Sequence, residues 1–164
     1  MIGNDVVDLV LAQKESNWKR KGFLNKLFTP FEQDLIQKAP NQEEMVWMLW
    51  SIKESVYKAY QRINYNEGFY PIKIEILELN SKNESIVQLF ETFFFGKTTI
   101  DKDFIKTVVV LNKSDFNRIQ FLKTSDYSKN ENGLPIELHS NKPISVSHHG
   151  RIREIVGFKS AKYN

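Results

Sequence analysis

Trp50-Ser51-Ile52-Lys53-Glu54-Ser55-Val56-Tyr57-Lys58-Ala59-Tyr60 is the stretch on which the reading of this chain turns. It sits inside a longer segment of helical periodicity. Pro40 and Asn41, with Glu44 three residues on, mark a helix start by a capping-box pattern. From there Met45, Met48, Leu49, Ile52, Val56, Ala59 and Ile63 recur at steps of three and four, one face aimed at a core. The opposite face carries Trp47, Trp50, Glu54, Tyr57 and Lys58. A surface helix shows solvated polar residues there. A carboxylate and an ammonium framed by aromatic rings instead imply a helix covered twice, by a core and by a ligand or partner.

Composition bounds the rest. The chain has 164 residues, 41% hydrophobic and 26% charged, which suits a soluble globular protein with a sizeable core, here expected as one domain over 1–164. It has no cysteine, which excludes disulfides, a thiolate nucleophile and cysteine-ligated metal. No stretch has the character of a signal peptide or the length of a membrane span, so no membrane association and a cytoplasmic location are expected. A pI near 9.0 and the cluster Lys19-Arg20-Lys21 point to an anionic partner: nucleic acid, a phosphorylated ligand or an acidic protein. On composition alone the ordinary reading of that cluster is a solvated face.

Outward from the helix, residues 2–10 read as a strand with both faces apolar, as in a central strand. Asp5 lies on one apolar face, where a carboxylate is costly unless paired, hydrogen-bonded or metal-bound; Asp8 lies on the other and reads as structural. Residues 14–28 read as a basic helix or helix–loop. Thr29-Pro30-Phe31-Glu32 opens a short helix that ends before Pro40. The long helix runs from about 42 to 62, and Asn66-Glu67-Gly68 ends the element. The second half reads as β: 72–76, then 85–95 and 98–111 with a turn at Gly96-Lys97, a short helix from Ser114 followed by a strand, a polar loop over 125–132, short strands at 136–138 and 144–146, a turn at His149-Gly150-Arg151, and a last strand over 154–159. The expected class is α+β, a single lobe with an antiparallel sheet packed against a long central helix.

Two stretches taken together carry more than either alone. Ile2-Gly3-Asn4-Asp5 and Trp50-Ser51-Ile52-Lys53-Glu54-Ser55-Val56-Tyr57-Lys58-Ala59 are separated by 44 residues between Asp5 and Trp50. The pair resembles the motifs of 4'-phosphopantetheinyl transferases: an (I/V)-G-x-D strand, then W-S-x-K-E-(A/S)-x-x-K-A on a helix. Gly133-Leu134-Pro135 followed by Ser145-Val146-Ser147-His148-His149-Gly150-Arg151 resembles that family's G-K-P … S-x-S-H-S-G element, with Leu134 where many relatives carry lysine. Its place near the C-terminus resembles the short, holo-acyl-carrier-protein-synthase-like members. Lys26 to Glu32 is similar to the family's K-x-F-T-x-x-E stretch. Residues 80–130 match neither the short nor the two-lobed type.

The resemblance implies an activity: transfer of the phosphopantetheine arm of coenzyme A to a serine of an apo acyl or peptidyl carrier protein, with Mg²⁺, releasing adenosine 3',5'-bisphosphate. Asp5 and Glu54 are the implied metal ligands, since Mg²⁺ commonly takes one or two carboxylates plus phosphate oxygens and water. Glu54 is the implied general base and Lys58 the implied stabiliser of the pyrophosphate. Taken by spacing alone, Glu54 and Lys58 are an ordinary ion pair on one helix face. Lys53, on the helix flank, is expected to reach either phosphate or solvent. Ser147, His148 and Arg151 are the implied coenzyme A contacts, with His148 at the 3'-phosphate.

The partner implied is an acidic carrier protein, with Lys19, Arg20, Lys21 and Lys26 as docking candidates. A single lobe needs a facing wall, so a homo-oligomer, with a trimer favoured, is expected to bring His148 of one subunit to Glu54 of its neighbour. Two other classes compete: a catalytically silent relative that binds coenzyme A or a carrier without transfer, and a basic nucleic-acid-binding domain, for which no motif is present.

Overall fold

The computed structural model describes residues 1–65, 68–123 and 126–159. The long helix, α4 (Gln42–Tyr60), starts where Asn41 accepts the Glu44 N–H, as the capping pattern predicts. Before it, α3 (Pro30–Lys38) opens with Pro30 in its first turn and a complete capping box between Thr29 and Glu32. The basic stretch contributes only one short helix, α2 (Phe23–Leu27).

Five strands form an antiparallel sheet against α4: β1 (Ile2–Asp8), β2 (Ile74–Leu79), β3 (Glu84–Leu89), β4 (Thr92–Asp101) and β5 (Phe104–Val110), in the order β1-β5-β4-β3-β2. Met48, Leu49, Ile52, Val56 and Ala59 of α4 are buried with Val7, Ile74, Ile76, Val87, Leu89, Phe94, Ile105 and Val109 of the sheet. The predicted stripe therefore holds, except that Ile63 lies past the helix end and is 49% exposed. Gly3 is where β1 meets α4 most closely. A Cβ there would lie 2.7 Å from the Ala59 nitrogen and nearer still to the Ser55 carbonyl. The glycine of the strand motif and the small Ser55 and Ala59 of the helix motif are thus one packing device.

Several expected boundaries move. The first strand stops at Asp8, not residue 10, because the Asp8 carboxylate accepts the Val10 and Leu11 N–H groups and starts α1 (Leu9–Glu15). Asp8 is structural, as the sequence suggested. No turn occurs at Gly96-Lys97. Gly96 lies mid-strand, opposite Ser85 and Val109, where a Cβ would strike the Ser85 hydroxyl. The chain turns instead at Phe90 and Lys102, both at positive φ, so two expected strands become three. Part of the expected 125–132 loop is strand β7 (Tyr127–Lys129), paired with β8 (Pro135–Glu137). Ser125 of that loop, and Asn66 and Glu67 of the expected helix stop, lie outside the described residues.

β6 (Ile119–Phe121), β9 (Ser145–His149) and β10 (Ile152–Phe158) make a second antiparallel sheet in the order β6-β10-β9. It covers the face of β1 and β5 that α4 leaves open, and buries Ile2, Val108, Val110 and Val156 together. β1 is therefore buried on both faces, as its composition predicts, yet it is the edge strand of its sheet rather than a central one. Arg62, just past α4, donates to the Pro135 and Ile144 carbonyls at 2.6 and 2.5 Å and ties the helix end to the segment that leads into β9.

Candidate active site

The exposed edge of β1 is closed by side chains rather than by another strand. The Asn4 N–H donates to Ser145 Oγ at 2.8 Å, the Val6 N–H to Ser147 Oγ at 3.1 Å, and the Asp8 N–H to His149 Nδ1 at 2.9 Å. Alternate residues of β9 meet alternate residues of β1, because side chains repeat every second residue along a strand and so do the outward N–H groups. Ser145, Ser147 and His149 form three rungs of a comb, and a strand edge that would otherwise be unpaired is satisfied. His149 accepts at Nδ1, which leaves Nε2 to carry its ring proton, 3.7 Å from a Glu15 oxygen.

The turn after β9 is fastened as well. Arg151 holds Asp8 through both Nε and Nη2 at 2.8 Å, and its backbone N–H adds a third bond at 3.1 Å. These bonds hold the Asp8 carboxyl well below the usual carboxylate range. Gly150 has φ +55°, and a Cβ there would lie 2.6 Å from Asp8 Oδ2, so a side chain would push the turn off its anchor.

This splice places Asp5 of β1 beside α4. Its Oδ1 accepts from Lys58 Nζ at 3.2 Å and from Ser147 Oγ at 2.8 Å, and Lys58 also donates to the Asn4 carbonyl at 2.9 Å. Asp5, Glu54 and His148 line one cavity of about 130 Å³, with Trp47, Trp50 and His149 among its walls. Burial raises the Glu54 carboxyl to about 7; the nearby Asp5 charge adds to the rise and Lys58 opposes it. Two carboxyl groups lining one cavity are oxygen donors of the type a hard divalent cation takes. Among the described residues no cluster of three or more metal-ligating side chains occurs.

One expectation, the placement of Lys53, is corrected by this geometry, which also fixes the surroundings of Arg151, Ser147 and His148. Lys53 reaches neither phosphate nor solvent. It is fully buried in an ion pair with Glu32 at 2.7 Å, and donates to the Pro71 and Ile74 carbonyls at 2.8 and 2.5 Å. α4 turns Lys53 away from Glu54 and into the space between α3 and β2. Arg151 is committed to Asp8, with Asp103 3.6 Å away, and is not aimed at the cavity. Ser147 is 6% exposed, and its hydroxyl is engaged by the Val6 N–H and by Asp5. His148, exposed on the strand, and Glu54 line the same cavity within one chain. The second sheet lays β9 alongside β1 and so brings His148 and His149 to this cavity.

Two residues went unassigned in the sequence reading or were placed on the wrong surface. His149 is a rung of the comb and borders the cavity. The alternation Ser145, Ser147, His149 was its signal. Trp47, read on the helix's outer face, is 7% exposed and belongs to the core. Trp50 and Tyr57 keep an aromatic surface, but both pack on Phe69, at 5.5 and 5.0 Å between ring centroids.

A second cavity of about 560 Å³ adjoins the first and shares Ser16, Trp47, Trp50 and His149 with it. Arg20, Lys21 and Lys26 line it, over Phe23 and Leu27. Lys19, also exposed, lies over the Trp18 ring.

Residues 1–109 match the 4'-phosphopantetheinyl transferase superfamily. The comparison with curated proteins finds no match. Among solved structures the fold is similar to Helicobacter pylori holo-[acyl-carrier-protein] synthase in complex with coenzyme A, at TM-score 0.54 and 21% identity over 68% of this chain and 100% of that one. It is also similar to the Chronobacterium ammoniagenes ACPS–CoA complex (0.53, 18%, covering 69% and 98%) and to Thermotoga maritima holo-[acyl-carrier-protein] synthase (0.51, 16%, covering 97% and 83%).

Proposed function

The chain belongs to the 4'-phosphopantetheinyl transferase superfamily, and from that premise we propose that it transfers the phosphopantetheine arm of coenzyme A to a serine of an apo acyl or peptidyl carrier protein. The observation that carries this reading is the meeting of Asp5, Glu54 and His148 around one cavity, with Lys58 bonded to Asp5. The residues the resemblance named on separate elements are neighbours in space.

In the proposed step the serine oxygen attacks the phosphorus that bears the pantetheine arm. The phosphoanhydride P–O bond breaks, and adenosine 3',5'-bisphosphate leaves with the bonding pair. The serine proton passes to Glu54, directly or through a water. A carboxyl raised to about 7 suits a general base, because near neutral pH a substantial fraction is unprotonated and it is basic enough to take the proton. Lys58 places a cation beside the developing phosphate charge. His148, exposed at the cavity rim, is the proposed contact for the 3'-phosphate. A bound Mg²⁺ supplies charge neutralisation on the pyrophosphate, and Asp5 and Glu54 are the residues that would hold it.

The adjoining basic cavity is the proposed docking place for an acidic carrier, with Arg20, Lys21 and Lys26 on its wall and Lys19 nearby. Catalytic efficiency towards the carrier is then expected to fall as salt rises. Reversing the charge of Arg20 and Lys21 is expected to raise the carrier KM several-fold, with the coenzyme A KM unchanged. An unaltered carrier KM rejects this docking surface.

The direct test is intact-mass measurement of apo carriers incubated with the protein, coenzyme A and Mg²⁺. Wild type is expected to add the arm to at least one carrier, and Glu54→Gln to add it far more slowly. A second reading has its own support: Leu134 replaces a lysine of the family pattern, and Lys53 and Arg151 are withdrawn from the cavity. With fewer cations to hold phosphate, a coenzyme A binder without transfer is the alternative. Saturable coenzyme A binding with no mass gain on any carrier identifies it.

A further inference from the structure

Ser147 faces Asp5 at the centre of the comb, and its hydroxyl makes two bonds at once. It accepts the Val6 N–H at 3.1 Å and donates its own proton to Asp5 Oδ1 at 2.8 Å. Ser145, one rung along, accepts the Asn4 N–H at 2.8 Å and has no bond to Asp5. The two serines are alike in burial, 3% and 6% exposed, and in holding β9 to β1. They differ in one respect, the second bond to the carboxylate.

That bond decides how the carboxylate is presented. Oδ1 takes both hydrogen bonds, from Ser147 on the strand side and Lys58 on the helix side. Among the described residues no hydrogen bond falls on Oδ2. The carboxylate plane is therefore fixed from two directions, and one oxygen is left for whatever occupies the cavity. A carboxylate held by an outer partner binds a cation without first losing rotamer freedom, which is how such partners tune metal sites.

We propose that Ser147 is a positioning residue that orients Asp5 for divalent-cation binding, and not a contact for coenzyme A. This rests on the reading of Asp5 as a cation-holding carboxylate. It also gives the paired serines of the Ser145-Val146-Ser147 motif separate duties: both splice the strands, and only the second aims the acid.

The test compares Ser147→Ala, Ser147→Thr and Ser145→Ala by Mn²⁺ binding in the presence of coenzyme A, read by electron paramagnetic resonance, alongside thermal melts and steady-state transfer. Ser147→Ala is expected to weaken Mn²⁺ binding roughly 10- to 100-fold, the usual effect of removing an outer-shell partner, and to leave the coenzyme A KM at saturating metal unchanged. Ser147→Thr keeps a hydroxyl and is expected to restore binding. Ser145→Ala is expected to lower the melting temperature comparably while binding Mn²⁺ as wild type does. Equal loss of Mn²⁺ affinity in the two alanine variants overturns the proposal, since the rung alone then accounts for it. So does Ser147→Ala with wild-type Mn²⁺ affinity and a raised coenzyme A KM. If wild type itself binds no Mn²⁺ beside coenzyme A, the reading of Asp5 falls together with the proposal; if wild type binds and Ser147→Ala matches it, only the proposal falls.

Discussion

Two lysine–carboxylate pairs leave α4 little more than one turn apart, and they meet opposite surroundings. Lys53 and Glu32 are sealed, both side chains at 0% exposure, and they bridge α3, α4 and the segment leading into β2. Glu32 also closes its capping box on the Thr29 N–H and accepts the Ile76 N–H, so every polar atom of the pair has a partner. Lys58 and Asp5 stand at 28% and 12% exposure, beside a cavity, with a third ionisable group, Glu54, close by. A closed pair with all its bonds made holds elements together. An open pair next to a carboxyl that resists ionisation is equipped to receive charge from outside. Two lysines of one helix, each paired with a carboxylate from another element, thus differ in whether the pair is closed off or open to a cavity.

The comparison can be broken hardest at Glu54. Glu54→Gln is expected to cut transfer by about 10²- to 10⁴-fold, the range of a lost general base. The same change should stabilise the metal-free protein at pH 8. The folded carboxyl is raised from 4.5 to about 7, so the folded state keeps a proton that the unfolded chain has released. Stability of the wild type thus falls as pH rises from 4.5 to 7 and stays lower above it. Glutamine removes that penalty, worth on the order of 1–3 kcal/mol above pH 7 and nothing below pH 4.5. Thermal melts of both proteins across pH 4–8 check the sign. Curves that stay parallel at every pH contradict the raised carboxyl.

On the sealed side the order of effects reverses. Lys53→Met leaves Glu32 buried without its cation and is expected to cost about 3–5 kcal/mol in stability. Adding Glu32→Leu to it should recover most of the loss, since two well-packed apolar residues replace a dry ion pair with little penalty. Denaturant unfolding of the single and double variants checks this. If Lys53→Met melts like wild type but no longer binds coenzyme A, Lys53 belongs to the open region after all.

The smallest effect belongs to the open pair's own stability. Lys58→Ala is expected to shift stability by no more than about 1 kcal/mol, as for other partly exposed pairs. Transfer should fall about 10- to 100-fold, because an electrostatic contact to the reacting phosphate is lost. Melts and rates measured on one preparation separate the two. A large loss of stability with an unchanged rate erases the contrast with Lys53.

Much of this was legible in the chain of residues. The capping of α3 and α4, the apolar stripe of α4 and the structural place of Asp8 follow from local rules, in which neighbours in sequence are neighbours in space. The candidate site was legible as residue types, because Gly3, Asp5, Glu54 and Lys58 stand at spacings that carry a family resemblance. Where local rules misled, a tertiary contact had overridden them. Gly96 looked like a turn and is a close approach to Ser85; Trp47 looked like a surface ring and is core.

By itself, then, the sequence determined the long helix and its capped predecessor, which face of that helix is buried and which acidic and basic groups are candidates for chemistry, since each depends on spacing along one segment. Only the tertiary structure decided that Lys53 is sealed and Lys58 open, that β1 is an edge strand closed by Ser145, Ser147 and His149, and that His148 and Glu54 line one cavity. Those outcomes depend on where the second sheet lands on the first. Burial and ionisation of a side chain are set by everything packed around it, and periodicity within one segment carries no record of that.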